Sequence, residues 1–306
     1  MYNEETKRRY IAYKEASTIM CDNYLYRVFD AASSSEIKAG KDIADFTSKE
    51  IIDYYKLVNK ASVDSLVTLN NTLSMYTQWY INELLSIDHQ NHFSELTREC
   101  LSRCVNKCRV EYSIIQRNEL LESIKDLPNP SDSFTILALF EGINGNNYKE
   151  LWKLHLSDFH DGTVTLYDGR KINVSPELAK WASLSAEEKY YYRLIRGKEQ
   201  SIKFLESDDT IIKSYPNAKS WSSERQQGKR IYYKVKKALD YMGLPWVSGN
   251  NLILSGKIHF INTRCAELGI SGHDYIYSGR LIELNHQYGC NIVRSNFYND
   301  YKDYLI

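Results

Sequence analysis

The sequence predicts a mainly α-helical protein with one small β-sheet or hairpin, divided into two domains. The chain has 306 residues, which is enough for two domains of ordinary size. Apolar residues recur at helical spacing through most of the first hundred residues. A clear two-residue alternation is confined to one segment around Asp168 and Gly169.

The first domain, residues 1–112, is expected to be helical. Thr47 followed by Glu50 is a capping box, in which each side chain can satisfy a backbone amide of the other residue. Apolar residues at helical spacing predict a long helix over residues 62–85 and a further helix over residues 94–108.

The second domain, residues 113–306, is expected to mix helices with the small β element. A short helix over residues 118–125 should end before Pro128. Residues 162–174 alternate around the Asp168-Gly169 dipeptide and predict a β-hairpin. A helix should then run from Pro176 through Leu194, and another over residues 221–243.

The composition is that of a soluble globular protein, with 43% hydrophobic and 25% charged residues. No apolar run approaches the roughly 20 residues of a membrane helix. The segment that begins at Met1 is polar and lacks the apolar core of a signal peptide. We therefore expect no membrane partner and a cytoplasmic location.

The cysteines do not follow a metal-binding pattern. There are six in the chain, Cys21, Cys100, Cys104, Cys108, Cys265 and Cys290. Three of them recur every four residues, without a Cys-x-x-Cys pair or added histidines. We expect reduced thiols, no bound metal and no cofactor.

The net charge is zero, but the balance of basic and acidic residues differs between the two ends of the chain. Residues 1–100 carry 11 Lys and Arg against 15 Asp and Glu, whereas residues 201–306 carry 14 against 10. Such a local excess of positive charge attracts phosphate. The predicted phosphate-binding residues of the helix at 221–243 are Arg225, Lys229, Arg230, Lys234, Lys236 and Lys237. A second basic group near the domain boundary consists of Arg103, Lys107 and Arg109.

One motif follows the apolar segment at residues 134–140. Gly142 is followed by a Glu-Leu pair that begins at Glu150, and then by Asp158. This order resembles the first conserved box of the tyrosine recombinases, the phage integrases. In that family an arginine that clamps the scissile phosphate lies three residues before the glutamate. Asn147 occupies this position here.

The second recombinase box is also degenerate. Counting back from Gly269, Ser255 takes the place of the first histidine, Ile258 that of the second clamp arginine and His259 that of the second histidine. A competing alignment that begins at His273 also places an isoleucine at the arginine position.

Other family positions are partly retained. His286 lies in a segment that resembles the Leu-Gly-His element, and Tyr298 is the best match to the nucleophilic tyrosine, with Tyr301 and Tyr304 close by. Lys171 lies beside the hairpin turn, where the family keeps a catalytic lysine, and we expect it to contact phosphate.

The resemblance implies a tyrosine-recombinase-like architecture, with a helical core-binding domain followed by a recombinase catalytic-type domain. It implies double-stranded DNA as the partner, gripped between the two domains. Neither asparagine nor isoleucine can replace a guanidinium fork, so we expect a recombinase fold without catalytic activity. Asn70, Asn71 and Thr72 are candidate base-reading residues of the first domain.

The pattern of eroded boxes resembles the integrase-like master repressors of SPβ-type prophages. This likeness implies a transcriptional repressor that binds operator sites and controls lysogeny in a bacterial host. It also raises a homo-oligomer and a phage regulatory protein as candidate partners. Two alternatives remain open: an active recombinase whose arginines are Arg264 and Arg280, and an interaction protein that has lost DNA binding.

Overall fold

The computed structural model describes residues 1–17, 22–84, 89–193, 202–205, 209–214 and 223–306. The chain divides into two compact units, Met1–Glu111 and Tyr112–Ile306. Within the described residues the first unit is helical and the second combines helices with two small sheets. The predicted fold class is therefore confirmed.

The first unit consists of helices around an aromatic core. Its helices are α1 (Glu4–Ser17), α2 (Asp22–Ala39), α3 (Ser48–Val58), α4 (Val63–Leu84), α5 (Arg98–Ser102) and α6 (Lys107–Glu111). Tyr10, Phe29 and Tyr76 meet in edge-on ring contacts and are fully buried. Aromatic pairs of this geometry stabilise a core beyond the area that they bury.

Helix boundaries in this unit follow the caps. The predicted capping box is confirmed, because Thr47 accepts a hydrogen bond from the Glu50 amide and the Glu50 carboxylate accepts one from the Thr47 amide. The long predicted helix corresponds to α4, while residue 85 lies outside the described residues.

The helix predicted over residues 94–108 is wrong. The Thr97 side chain caps the start of α5, and the Asn106 side chain accepts a hydrogen bond from the Arg109 amide at the start of α6. These two caps divide the segment into two short helices.

The second unit is built around a helix that is buried on all sides. Its helices are α7 (Arg117–Lys125), α8 (Pro130–Phe140), α9 (Lys149–Trp152), α10 (Pro176–Ala186), α11 (Glu224–Tyr241), α12 (Gly249–Leu268), α13 (Gly272–Tyr277), α14 (Leu281–Tyr288) and α15 (Arg294–Tyr301). Helices α7, α10, α11 and α12 pack against α8. At Gly256 of α12, an added Cβ would lie 1.7 Å from the Phe140 carbonyl oxygen, so only glycine permits this approach.

Two antiparallel sheets complete the second unit. Strands β1 (Phe159–His160), β2 (Thr163–Thr165) and β3 (Lys171–Asn173) form one sheet, and β4 (Tyr190–Tyr192) pairs with β5 (Ile202–Phe204) in the other. The predicted hairpin is confirmed, with Val164 opposite Ile172 and Gly169 in the left-handed region at φ 83°. The helix predicted from Pro176 through Leu194 ends at Ala186, and residue 194 lies outside the described residues.

The described part of the chain contains no helix that is both long and apolar enough to cross a membrane. Among the same residues, no group of three or more His, Cys, Asp or Glu side chains is arranged to hold a metal ion.

Candidate nucleic-acid interface

Asn147, at the first clamp position, lies in a strained turn before α9. Asn147 and Tyr148 both adopt left-handed backbone conformations, with φ of 53° and 55°. The turn packs closely on α11, because a Cβ on Gly228 would come within 2.8 Å of the Asn147 carbonyl oxygen. Asn147 is solvent-exposed and carries no charge that could hold a phosphate.

Glu150 is the part of the first box that keeps a charged partner. Its side chain is only 9% exposed, and it accepts hydrogen bonds from the Asn144 amide at 2.8 Å and from the Arg170 guanidinium at 2.6 Å. A buried carboxylate without a cation would be costly. The cation beside Glu150 therefore comes from the β2–β3 turn and not from position 147.

Arg170 also binds the end of α14. It donates hydrogen bonds to the carbonyl oxygens of His286 and Gln287, both at 2.8 Å. Gly289 ends the helix at φ 56°, and a Cβ there would lie 2.6 Å from the guanidinium. The sequence predicted a phosphate contact for Lys171, beside this turn, and gave no signal for Arg170, although the two residues are adjacent. Lys171 itself is exposed on β3.

The second box is used for packing in α12. Ile258 is 3% exposed and lies in the same core cluster as Leu284 and Tyr288. The Ser255 hydroxyl is buried, where it accepts a hydrogen bond from the Ile115 amide at 3.0 Å and donates one to the Asn251 carbonyl. In the competing alignment the corresponding isoleucine, Ile276, is also fully buried.

His259 of this box is half-buried. Its ring lies 5.7 Å from the Phe140 ring, at a cavity of about 310 Å³. Burial, with a smaller contribution from the Arg117 charge, lowers the pKa of His259, so that its neutral form is favoured at neutral pH.

The spare arginines and the candidate tyrosine occupy other surroundings. Arg264 forms ion pairs with Glu267 and Glu283, and Arg280 lies 3.7 Å from Glu283. The Tyr298 ring packs on the His273 ring, with centroids 5.1 Å apart. Both arginines therefore balance surface carboxylates of their own unit.

Helix α11 presents a basic and aromatic face to solvent. Its buried side consists of Gly228, Ile231, Val235, Ala238 and Leu239. Its exposed side carries Arg225, Lys229, Lys236 and Lys237 together with Tyr232 and Tyr233, which are 50% and 54% exposed. No carboxylate of the described residues pairs with these four cations. We call these six residues the α11 face.

Two predicted members of the basic cluster form contacts within the second unit, and the predicted exposure of Lys234 is corrected. Lys234 is only 10% exposed, with its ammonium group 2.7 Å from the fully buried Asp132 carboxylate and 2.8 Å from the Ser131 hydroxyl. The Arg230 guanidinium donates hydrogen bonds to the Ser214 hydroxyl and to the Ile212 carbonyl. At 100° per residue, Lys234 lies about 180° around the helix from Arg225, whereas Lys236 lies about 20° from it.

The basic residues near residue 105 belong to the first unit. Arg103 is exposed and forms an ion pair with Glu99 of the preceding turn, at 2.6 Å. Arg109 donates a hydrogen bond to the Asn59 carbonyl, at the end of α3. Lys107 is exposed at the start of α6. Arg109 therefore has a structural role in addition to its charge.

The candidate base readers of α4 need correction as well. The Asn70 amide donates a hydrogen bond to the Phe93 carbonyl, and its oxygen accepts one from the Tyr55 hydroxyl. Asn70 and Thr72 are 5% and 6% exposed, and only Asn71 is exposed to solvent. Two of the three residues therefore support the interior of the unit.

Comparison with known families identifies both units. Residues 1–82 match the model described as the MrpR N-terminal core-binding domain, and residues 114–305 match the MrpR C-terminal catalytic domain. The chain belongs to the MrpR family. The predicted integrase-like family, with a core-binding domain followed by a catalytic-type domain, is thereby confirmed.

Similar proteins include a prophage relative of this MrpR family member. The SPbeta prophage-derived protein YopR of Bacillus subtilis (strain 168) is 25% identical over 295 residues, which cover 90% of this chain and 86% of YopR. A crystal structure of a lambda integrase(75-356) dimer bound to a COC' core site is 16% identical with a TM-score of 0.48, over 98% of this chain and 96% of that one. A second crystal structure of a lambda integrase dimer bound to a COC' core site is 15% identical with the same TM-score. The match covers 97% of this chain and 77% of that one.

The opposite surroundings of Lys234 and Lys236 give a testable difference in stability. We expect Lys234→Met to lower the free energy of unfolding by about 3 kcal/mol, because it leaves the Asp132 carboxylate buried without its cation. Lys236→Met should change it by less than about 0.5 kcal/mol, since that side chain is exposed. Urea unfolding at pH 7 measures both values, and equal losses would contradict the assignment of Lys234 to the interior.

Proposed function

We propose that this protein is a sequence-specific DNA-binding repressor of a prophage, built on a tyrosine recombinase fold without catalytic activity. The observation that carries the proposal is the contrast between the α11 face and the two clamp positions. The α11 face keeps four exposed cations beside two exposed tyrosines. The clamp positions hold an uncharged Asn147 and a buried Ile258.

The chemistry of the α11 face suits duplex DNA. Lysine and arginine neutralise backbone phosphates and supply most of the affinity. The amphipathic rings of Tyr232 and Tyr233 add contact area and hydroxyl groups that can bond to bases or phosphates. Lys171, Arg103, Lys107 and Arg109 are the further phosphate contacts of the proposal, whereas Arg230 and Lys234 are not part of it.

Lack of catalysis follows from the electrostatics of phosphoryl transfer. Each charge-assisted contact to the developing negative charge is worth roughly 2.7–4 kcal/mol, so two missing arginines should slow strand cleavage by several powers of ten. Arg170 does not compensate, since Glu150 and the end of α14 hold its guanidinium.

Repression of prophage genes is the biological role that fits these features best. A protein that binds DNA tightly and does not cut it can block transcription by occupying an operator. The similarity to YopR, a prophage-derived protein, supports a phage context in the cytoplasm of a bacterial host. A homo-oligomer would multiply the phosphate contacts at a repeated operator, and a phage regulatory protein is the candidate that would release it.

DNA binding through the α11 face can be tested with a pair of double variants. We expect Lys229→Gln with Lys236→Gln to weaken binding to all fragments of the source genome and to lower the slope of log K against log salt by roughly 2. The matched control is Lys125→Gln with Lys180→Gln, two exposed lysines on other helices of the same unit. Gel shifts at several salt concentrations provide the measurement.

Either of two results would overturn this assignment. One is the absence of a salt-sensitive, sequence-selective shift at submicromolar wild-type protein, which would favour an interaction protein without DNA binding. The other is an equal loss of affinity in the test and control pairs, which would place the DNA contacts on another surface.

The alternative function is an active site-specific recombinase that forms a 3′-phosphotyrosyl intermediate. A suicide substrate with a nick in the recombination site traps this intermediate. We expect no covalent protein–DNA adduct from the wild type or from Asn147→Arg, because Ile258 remains buried in the core. An adduct that disappears in Tyr298→Phe would identify the protein as an enzyme instead.

A further inference from the structure

Phosphate contacts alone do not explain sequence selectivity. Lysine and arginine side chains that bind phosphates position a protein on DNA, but the backbone that they contact carries no direct sequence information. Of the three base readers predicted in α4, Asn70 and Thr72 are buried and Asn71 is exposed. The two exposed tyrosines of the α11 face, Tyr232 and Tyr233, are therefore candidates for base contacts in the second unit.

Tyr233 projects directly away from the core. At about 100° per residue, it lies about 170° around α11 from the centre of the buried side. Its side chain is 54% exposed. Lys229 lies one turn before it, and Lys236 and Lys237 lie one turn after it, all three exposed. A duplex whose phosphates contact these lysines therefore has the Tyr233 ring between its phosphate contacts.

Tyr232 has different surroundings. It lies only about 70° from the centre of the buried side. It approaches the turn at the first clamp position, because Tyr232, after burial, contributes to raising the pKa of Tyr148 above its usual value. The Tyr232 ring meets the Tyr233 ring edge-on, with centroids 5.4 Å apart. This contact restricts the Tyr233 ring, and a restricted side chain loses less entropy on binding.

The acidic residues of α11 lie at its two ends. Glu224 is paired with Lys149 at 2.5 Å. Asp240 is half-buried and lies two turns after Tyr233. Residues 225–239 contain no Asp or Glu. The charges next to Tyr233 along the helix are therefore positive, which favours the approach of DNA to this side chain.

We propose that Tyr233 contacts base edges in the major groove of the operator and selects among sequences, while Lys229, Lys236 and Lys237 bind the phosphates on either side. This assignment rests on the proposed DNA binding by the α11 face. The major groove is about 12 Å wide and admits an α-helix. A tyrosine offers a base edge both an apolar ring and a hydroxyl group, and the Tyr233 hydroxyl has no hydrogen-bond partner among the described residues.

Comparison of a selected and a scrambled duplex tests the role of Tyr233. The selected duplex is the fragment of the source genome that the wild type shifts at the lowest concentration, and the other has the same composition in scrambled order. We expect Tyr233→Ala to lower the ratio of the two affinities by roughly tenfold or more. Affinity for the scrambled duplex should change by less than about threefold, since the lysines remain.

Single base-pair replacements in the selected duplex locate the contact. We expect at least one position where the wild type prefers the original pair by roughly fivefold or more and where Tyr233→Ala shows no preference, because loss of a base contact relaxes specificity at that position. Lys229→Gln should weaken binding to both duplexes by the same factor and keep their ratio.

The matched control is Tyr190→Ala, at a tyrosine of β4 that is 45% exposed. This variant should keep the wild-type ratio of affinities. Thermal unfolding checks that Tyr233→Ala folds. Tyr233→Gln provides a second variant, because glutamine has a favourable helix propensity.

The possible failures are distinguishable. Unchanged base preferences in both Tyr233 variants would overturn the assignment and leave the proposed DNA binding intact, and their loss in Asn71→Ala or Arg225→Gln instead would assign base reading to that residue. Equal weakening of both duplexes by Tyr233→Ala would make Tyr233 a contact to the DNA backbone and overturn its role in selection. Equal wild-type affinity for the two duplexes would overturn both the sequence-specific function and this inference.

Discussion

The buried carboxylate of Glu150 connects three parts of the second unit through one ion pair. An ionised carboxylate that is 9% exposed needs a cation and hydrogen-bond donors close to it. Arg170 supplies both at a distance of 2.6 Å, and the same guanidinium binds two carbonyl oxygens at the end of α14. A cation at a helix C-terminus also interacts favourably with the helix dipole. One side chain therefore joins the first box, the β2–β3 turn and the C-terminal helices.

This link explains how a recombinase fold can remain intact without its clamp arginines. Gln287 strengthens the connection, because its side-chain amide donates hydrogen bonds to the carbonyls of Glu141 and Asn173. Ile258 adds apolar burial where the second arginine would stand. The residues at the positions of the two recombinase boxes thus stabilise the unit, and the exposed cations of α11 are separate from that task. The proposed lack of cleavage and the proposed DNA binding are physically compatible for this reason.

Local patterns in the sequence predicted the elements that depend on neighbouring residues. The Thr47 capping box, the hairpin around Gly169 and the α11 helix were all recognisable, because each is encoded within a few residues. The break between α5 and α6 was not, since apolar spacing continued across two side-chain caps. Residue positions in the two recombinase boxes could be counted from the family pattern, but the burial of Ile258 and Ser255 needed the structure.

The prediction of site residues failed mainly for charged residues whose ion-pair partners are distant in sequence. Lys234 had the spacing of a basic surface, yet its carboxylate partner, Asp132, comes from another helix about one hundred residues earlier. Arg170 was overlooked for the same reason, because Glu150 and the α14 carbonyls approach it only in the folded unit. Composition and periodicity indicate that a segment is basic. Whether each cationic side chain points to solvent or to the interior depends on tertiary contacts.

A double-mutant cycle on Arg170 and Glu150 tests the central claim most directly. The free energies of unfolding of Arg170→Gln, Glu150→Gln and the double variant are compared with that of the wild type in urea at pH 7. We predict a coupling energy of at least about 1.5 kcal/mol, with the double variant more stable than additivity would give, since it leaves no unpaired buried charge. A coupling energy near zero would contradict the account, because the ion pair would then not hold the unit together.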